Sequence, residues 1–263
     1  MPEATHSRIT GPRSTHGTLL LHGAGGSPEA NFPFQAELSG RVVAPYYPGH
    51  GPAPICDGDL GLDILVADAM RAADEAGLAT MDIVGFSLGS AVAVQLAARH
   101  PERVRRLVLA AGIAHASPSL RLACQVWIAL LEAVDGTAGS LALGRFVAWA
   151  SSSEAHWTDG RTAAGPTPDE IARLIADNVQ PGTADAARLI CRLDTRPDLL
   201  GVAAPTLVVV PTADRLVDPS HAEALLAGIA DTVRIDIPAG HNLAWEAPGA
   251  FAAAIRGHLD VAA

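Results

Sequence analysis

A serine between two glycines, an aspartate and a histidine, in that chain order, could together perform acyl transfer. Gly85-Phe86-Ser87-Leu88-Gly89 joins the apolar run Thr80–Val84 to the helical run Ser90–His100. A G-x-S-x-G pentapeptide between strand and helix is the setting of a nucleophile elbow, a turn that lifts the serine hydroxyl clear of the backbone. Small residues two before and two after Ser87 permit the turn, because a Cβ at either place would crowd the chain. A serine hydroxyl is a weak nucleophile and needs a base and a site for the oxyanion. A glycine-flanked serine also serves as a plain helix N-cap, so the partners decide.

For the base, Gly240-His241-Asn242 follows the run Val233–Ile237, which puts His241 at a strand's carboxyl end. His6 and His16 lie near the terminus, and His100 and His258 lie on or at the end of helical runs. His22 and His50 each adjoin a loop glycine and read as structural; His115 and His156 fall in the long insertion described below. For the acid that holds the imidazole, Asp214 follows Thr206–Val210, again at a strand's carboxyl end. Asp218 competes, but Asp218-Pro219 has the form of a helix N-cap followed by proline at the first helical position. The turn His22-Gly23-Ala24-Gly25-Gly26 follows Gly17–Leu21 and can aim backbone N–H groups at a developing oxyanion. Leu88 supplies one expected donor and Ala24 the second, with Gly23 as the alternative. In isolation, a glycine turn without a ligand is the plainer reading of that segment.

The elements that must position these residues alternate. Strands are expected at Gly17–Leu21, Arg41–Ala44, Thr80–Val84, Val104–Leu109, Thr206–Val210 and Val233–Ile237. Helices are expected at Glu29–Leu38, Leu60–Ala76, Leu88–Arg99, Ser220–Gly228 and Pro248–Leu259. Continuous Val/Ile/Leu strands between helices predict an α/β fold, with a mostly parallel, doubly wound sheet covered on both faces. The alternation stops over 114–200, where Ser119–Val134, Ser140–Ala150, Pro168–Asn178 and Ala184–Leu193 look helical around a breaker-rich connector, Ser151–Pro168. The expected organisation is a core of 1–113 and 201–263 with a helical cap of 114–200, because ligands bind beyond the carboxyl ends of such strands.

Composition excludes several alternatives. Of 263 residues, 49% are hydrophobic and 17% charged, which argues against disorder. A net charge of −10 argues against nucleic acid or an anionic membrane as partner. All 18 basic residues are arginine, so a lysine Schiff base and a Walker lysine are excluded. No apolar stretch reaches the ~18 residues of a membrane span. The start, Met1–His6, lacks a basic segment followed by an apolar one, so the cytosol is the expected compartment. Cys56, Cys124 and Cys191 lack metal-ligand spacing and read as free thiols, and no metal or cofactor is expected.

The chain resembles the α/β-hydrolase family, in particular its small capped esterase-like and MenH-like members. The resemblance rests on His22–Gly26, Tyr47-Pro48-Gly49-His50-Gly51, Gly85–Ser90, His100–Val104, Pro205–Asp214 and Gly240-His241. It implies a cap inserted after the family's sixth strand and a Ser87–Asp214–His241 triad. Three departures stand out. Only some 16 residues precede the first clear strand, so the usual N-terminal hairpin must be short or partly absent. Tyr47 stands where many relatives carry aspartate, and Pro211 where they often carry glycine. The implied activity is hydrolysis of a small-molecule ester or thioester with an apolar acyl group. Relatives use the same triad for carbon–carbon cleavage or MenH-like elimination, and a non-catalytic binding protein on this fold is the third reading. For the substrate, Gly23, Trp127 and Trp149 are the candidate contacts. Arg121, Arg145, Arg188 and Arg192 are candidates for an anionic group, with solvated helix faces as the competing explanation.

Overall fold

In the computed structural model, which describes residues 6–133, 136–158 and 167–260, seven strands form one sheet. They are β1 (Ser7–Thr10), β2 (His16–Leu21), β3 (Arg41–Pro45), β4 (Thr80–Phe86), β5 (Val104–Ala110), β6 (Thr206–Pro211) and β7 (Thr232–Ile237). Their order is β1-β3-β2-β4-β5-β6-β7, parallel throughout except for β1, which pairs antiparallel with β3. Strand side chains alternate between faces, and the core divides accordingly. Leu19, Leu21, Ile83, Leu107 and Leu109 join the layer under α2 (Leu62–Glu75), α3 (Leu88–Arg99) and α9 (Pro219–Gly228). Leu20, Val84 and Val108 join Phe32, Phe34 and Phe251 on the opposite face, under α11 (Pro248–Leu259). Burial on both faces is why these strands read as unbroken apolar runs.

Two local expectations need correction. The segment expected as one helix, Glu29–Leu38, is a single turn, α1 (Pro28–Asn31), followed by a 3-10 turn at Gln35–Glu37. Pro33 is the cause: it lacks an N–H and drives the preceding Phe32 out of helical geometry, to φ −131° and ψ 61°. The edge strand β1 lies upstream of the first expected strand. Its four residues carry a single apolar side chain, Ile9, which is itself partly exposed and gives no periodic signal.

Between β5 and β6 the chain builds α4 (Pro118–Ala133), α5 (Gly136–Ser151), α6 (Glu154–Thr158), α7 (Pro168–Asp177) and α8 (Thr183–Ile190). The last residue of the expected helix Ser119–Val134, residues 159–166 of the connector and Met1–Thr5 lie outside the described residues. The first part of the connector is not irregular but forms α6. Outgoing and returning chains are fastened together at the root of the insertion. The Thr195 N–H and hydroxyl both donate to the Ala114 carbonyl, at 2.8 and 2.9 Å, and the Ala116 N–H donates to the Leu193 carbonyl at 2.7 Å. A second fastening joins the Gly182 N–H to the Gly49 carbonyl at 2.9 Å. Among the described residues no helix is long and apolar enough to cross a membrane.

Helix α3 runs against β2 so closely that a Cβ on Gly89 would overlap the Leu21 carbonyl oxygen. A side chain there must push helix and strand apart, so Gly89→Ala is expected to cost about 3 kcal/mol or more. Urea denaturation checks this; a variant as stable as the parent would contradict the packing.

Candidate active site

The elbow is strained in the manner its sequence requires. Ser87, at the junction of β4 and α3, has φ 53° and ψ −118°, a region that residues with side chains seldom occupy. A Cβ on Gly85 would overlap the Gly89 carbonyl, so Gly85 is needed for the turn to close, while Gly89 lets the turn lie against β2. The Ser87 N–H donates to the Ala110 carbonyl at 3.0 Å, and the Ser90 hydroxyl donates to the Ser87 carbonyl at 2.6 Å. Ser90 Oγ in turn accepts the Ile113 N–H at 2.9 Å, tying the elbow to the segment after β5.

Loops after three other strands converge on Ser87. His241 Nε2 accepts from the Ser87 hydroxyl at 3.0 Å, and His241 Nδ1–H donates to Asp214 Oδ2 at 2.8 Å. A carboxylate only accepts, so this bond fixes the proton on Nδ1 and leaves Nε2 free to take one. The Asp214 and His241 side chains are 3% and 8% exposed, which keeps water from competing for the pair. Oδ1 of Asp214 accepts the Leu216 and Val217 N–H groups at 2.8 and 3.0 Å, anchoring the carboxylate by its far oxygen. Asp218 instead caps α9, accepting the Ser220 N–H at 2.9 Å. Pro211 ends β6 without disturbing the turn, and its carbonyl accepts the Asp214 N–H at 3.3 Å.

After β2, hydrogen bonding sorts the N–H groups of the glycine turn. Gly23 N–H donates to Asn31 Oδ1 at 2.8 Å, Gly25 N–H to His50 Nε2 at 3.2 Å, and Gly26 N–H to the Gly23 carbonyl at 3.2 Å. Ala24 thus carries the one N–H of that run, among the described residues, without a protein acceptor. Leu88, at the first position of α3, has no carbonyl four residues back in the helix to accept its own N–H. His22 and His50 are the girders of this turn. His22 Nδ1–H donates to the Gly23 carbonyl at 2.8 Å while its Nε2 accepts the Tyr47 N–H at 3.2 Å. His50 Nδ1–H donates to the Pro48 carbonyl at 3.0 Å. Tyr47 stacks on the His22 ring with centroids 4.0 Å apart, so an aromatic contact holds this loop. Burial, followed by the nearby His50, lowers the His22 pKa to about 3, and burial also lowers that of His50.

Above Ser87 lies a cavity of about 380 Å³, roofed by the insertion. Trp127, Phe146, Val147 and Leu120 form apolar walls, while Asn31, Asn178 and Gln180 contribute neutral polar groups. Among the described residues, no aspartate, glutamate or arginine lines it. Cys124 in the wall is also neutral, because burial, with Cys191 nearby, pushes its thiol pKa up to about 12. Of the expected substrate contacts, Gly23 and Trp127 line the cavity and Trp149 does not. On α5 the inward positions are Phe146, Val147, Ala150 and Ser151; Trp149 faces out, 58% exposed, with the Arg215 guanidinium 5.8 Å from its ring centre. None of the four candidate arginines reaches the cavity. Arg145 pairs with Asp169, Arg188 with Glu132 and Asp185, Arg192 donates to the Leu60 carbonyl, and Arg121 is exposed. Phe146, Trp245 and Asn31 are contacts that sequence reasoning missed. Among the described residues, no group of three or more His, Cys, Asp or Glu could hold a metal ion.

Comparison with known proteins agrees with this architecture. A family model described as alpha/beta hydrolase fold matches residues 19–248. The chain belongs to the α/β hydrolase fold family. Within that family, this hydrolase is 29% identical over 260 residues to a pyrrolizixenacetamide deacetylase of Xenorhabdus hominickii, covering 92% of this chain and 90% of the relative. It is 30% identical over 233 residues to a pimeloyl-[acyl-carrier protein] methyl ester esterase of Neisseria meningitidis, covering 81% of each. The crystal structure of the enol-lactonase of Burkholderia xenovorans superposes on the hydrolase with a TM-score of 0.81 at 25% identity, over 97% of this chain and 95% of the other.

The neutral histidines under the glycine turn give the hydrolase an acid limit. The folded pKa of His22 lies below the unfolded value of about 6.5. The unfolded chain therefore binds the proton first, and stability is lost as pH falls from about 6.5 toward 3. His22 removes about 1.4 kcal/mol per pH unit between those values, once the unfolded form is protonated. Urea titrations at pH 7, 6 and 5 should show this decline, with a shallower slope in His22→Gln. An identical slope in that variant would contradict the assignment.

Proposed function

We propose that this chain is a serine hydrolase acting on neutral carboxylic esters or thioesters with an apolar acyl group. The carrying observation is the aligned run Ser87–His241–Asp214 at the floor of an uncharged cavity. In this reading His241 Nε2 takes the Ser87 proton as Oγ attacks the carbonyl carbon. The resulting oxyanion accepts the N–H groups of Leu88 and Ala24. Collapse of the tetrahedral species breaks the bond to the leaving group, which takes the proton from His241. Water, deprotonated by His241, then attacks the acyl-enzyme and returns Ser87. Asp214 holds the imidazole in the required tautomer and stabilises the imidazolium.

Helices α4, α5, α7 and α8 act as a cap that shapes the acyl site. The absence of a cation from the described lining supports a substrate without a carboxylate or phosphate beside the scissile bond, since a buried unpaired anion is strongly disfavoured. The methyl ester esterase among the relatives supports ester chemistry on this fold.

A panel of neutral and anionic p-nitrophenyl esters and acyl thioesters tests the proposal. Wild type is expected to prefer neutral acyl groups by at least about tenfold, since leaving one charge unpaired in the site costs more than about 1.4 kcal/mol. Ser87→Ala is expected to lower kcat on the order of 10⁴-fold or more, because such residues act as a unit. The value of kcat/KM is also expected to fall on the acid side, where the base is protonated. Full turnover by Ser87→Ala, or no turnover of any ester or thioester in the panel by wild type, would reject ester hydrolysis.

A further inference from the structure

The carboxylate of Glu246, at the end of α10 (Leu243–Glu246), gathers three hydrogen bonds, one from the nearby Gly240 and two from Ser153, 93 positions away. Its Oε2 accepts the Gly240 N–H at 3.0 Å and the Ser153 hydroxyl at 2.5 Å, and its Oε1 accepts the Ser153 N–H at 2.8 Å. Gly240 immediately precedes His241. Ser153 lies two residues beyond α5, whose Phe146, Val147 and Ala150 form the cavity wall. A parallel bond runs from the Asn242 N–H to the Ser151 carbonyl at 2.9 Å. The two backbones meet so closely that a Cβ on Gly240 would come within 2.5 Å of the Ser153 nitrogen.

His241 is therefore bracketed: the residue after it bonds directly to the end of the helix that walls the cavity, and the residue before it is joined to the chain just beyond that helix through Glu246. We propose that Glu246 is a positioning residue that couples the α5 wall to His241, so that seating of the acyl group against α5 sets the reach between His241 and Ser87. The inference rests on the serine-hydrolase reading given above. Proton transfer requires the base within hydrogen-bond reach, and a displacement of about 1 Å can cost on the order of 10² in rate. Three donors converging on one carboxylate need an acceptor-only group. Glutamine supplies one accepting oxygen and a donor NH₂, so at least one of the three N–H or O–H groups loses its acceptor.

The test uses the full chain and a fluorophosphonate probe, whose reaction at Ser87 needs the base but no particular acyl group. Rates of Ser87 labelling are compared for wild type, Glu246→Gln, Ser153→Ala and the double variant, below the unfolding temperature of each. Each single variant is expected to label at least about tenfold more slowly than wild type, in line with a displaced base. The double variant is expected to label no more slowly than Glu246→Gln, because Ser153→Ala removes one bond of the link that Glu246→Gln already weakens. If Glu246→Gln does not fold, Ser153→Ala, which keeps the Glu246–Gly240 bond, carries the same expectation. A lowered Tm with labelling at the wild-type rate would make the carboxylate structural only and overturn the inference, as would losses that simply multiply. Failure of wild type to label overturns the serine-hydrolase reading and this inference together. Equal labelling of wild type and variants overturns the inference alone.

Discussion

The backbone of Ser87 is the constraint on which the site depends. A residue with a side chain is held at φ 53°, a conformation the chain does not adopt unaided. The surroundings impose it: Gly85 removes the atom that would block the turn, Gly89 lets α3 lie against β2, and hydrogen bonds from the Ser87 N–H and to its carbonyl fasten both sides. The partners of those bonds, Ala110 and Ser90, lie in β5 and α3, so the neighbouring strand and the helix after the elbow both clamp it. The hydroxyl is consequently offered to His241 without any rearrangement of the backbone. Strain of this kind persists only where the packing around it over-determines the conformation.

A second layer of order comes from the groups that hold the glycine turn in place. Asn31, His22 and His50 engage the N–H and carbonyl groups around the glycine turn, and two of the three are fully buried histidines. Each buried ring both donates and accepts, which a protonated imidazole could not do. Desolvation and hydrogen bonding thus favour the same neutral form. The turn is rigid because its polar groups are satisfied, and Ala24 stands out because its N–H is not.

Much of this was legible in the sequence, for identifiable reasons. The inner parallel strands are buried on both faces and show as apolar runs, and the elbow and Asp214 follow such runs, while His241 follows the more exposed edge strand β7. Asp218 was separable from Asp214 because an aspartate before proline carries the mark of a helix cap, and it does cap α9. Features decided by tertiary contact were less legible. Trp149 and Phe146 are both large aromatic residues of one helix, and only the packing of α5 determines that Phe146 faces inward. The break at Pro33 was visible as a residue but outweighed by the apolar residues around it. Glu246 carries no signal of its own, since its three donors come from residues 6 and 93 positions away.

The neutrality of the cavity bears on the end of a turnover as much as on its start. In the proposed ester hydrolysis an uncharged acyl group becomes a carboxylate, in a chamber whose described lining includes no arginine. Water solvates the new charge far better than Trp127, Phe146 or Val147 can. Under that proposal the walls that suit the substrate become a poor host for what it turns into, and the chemistry itself drives the acid out.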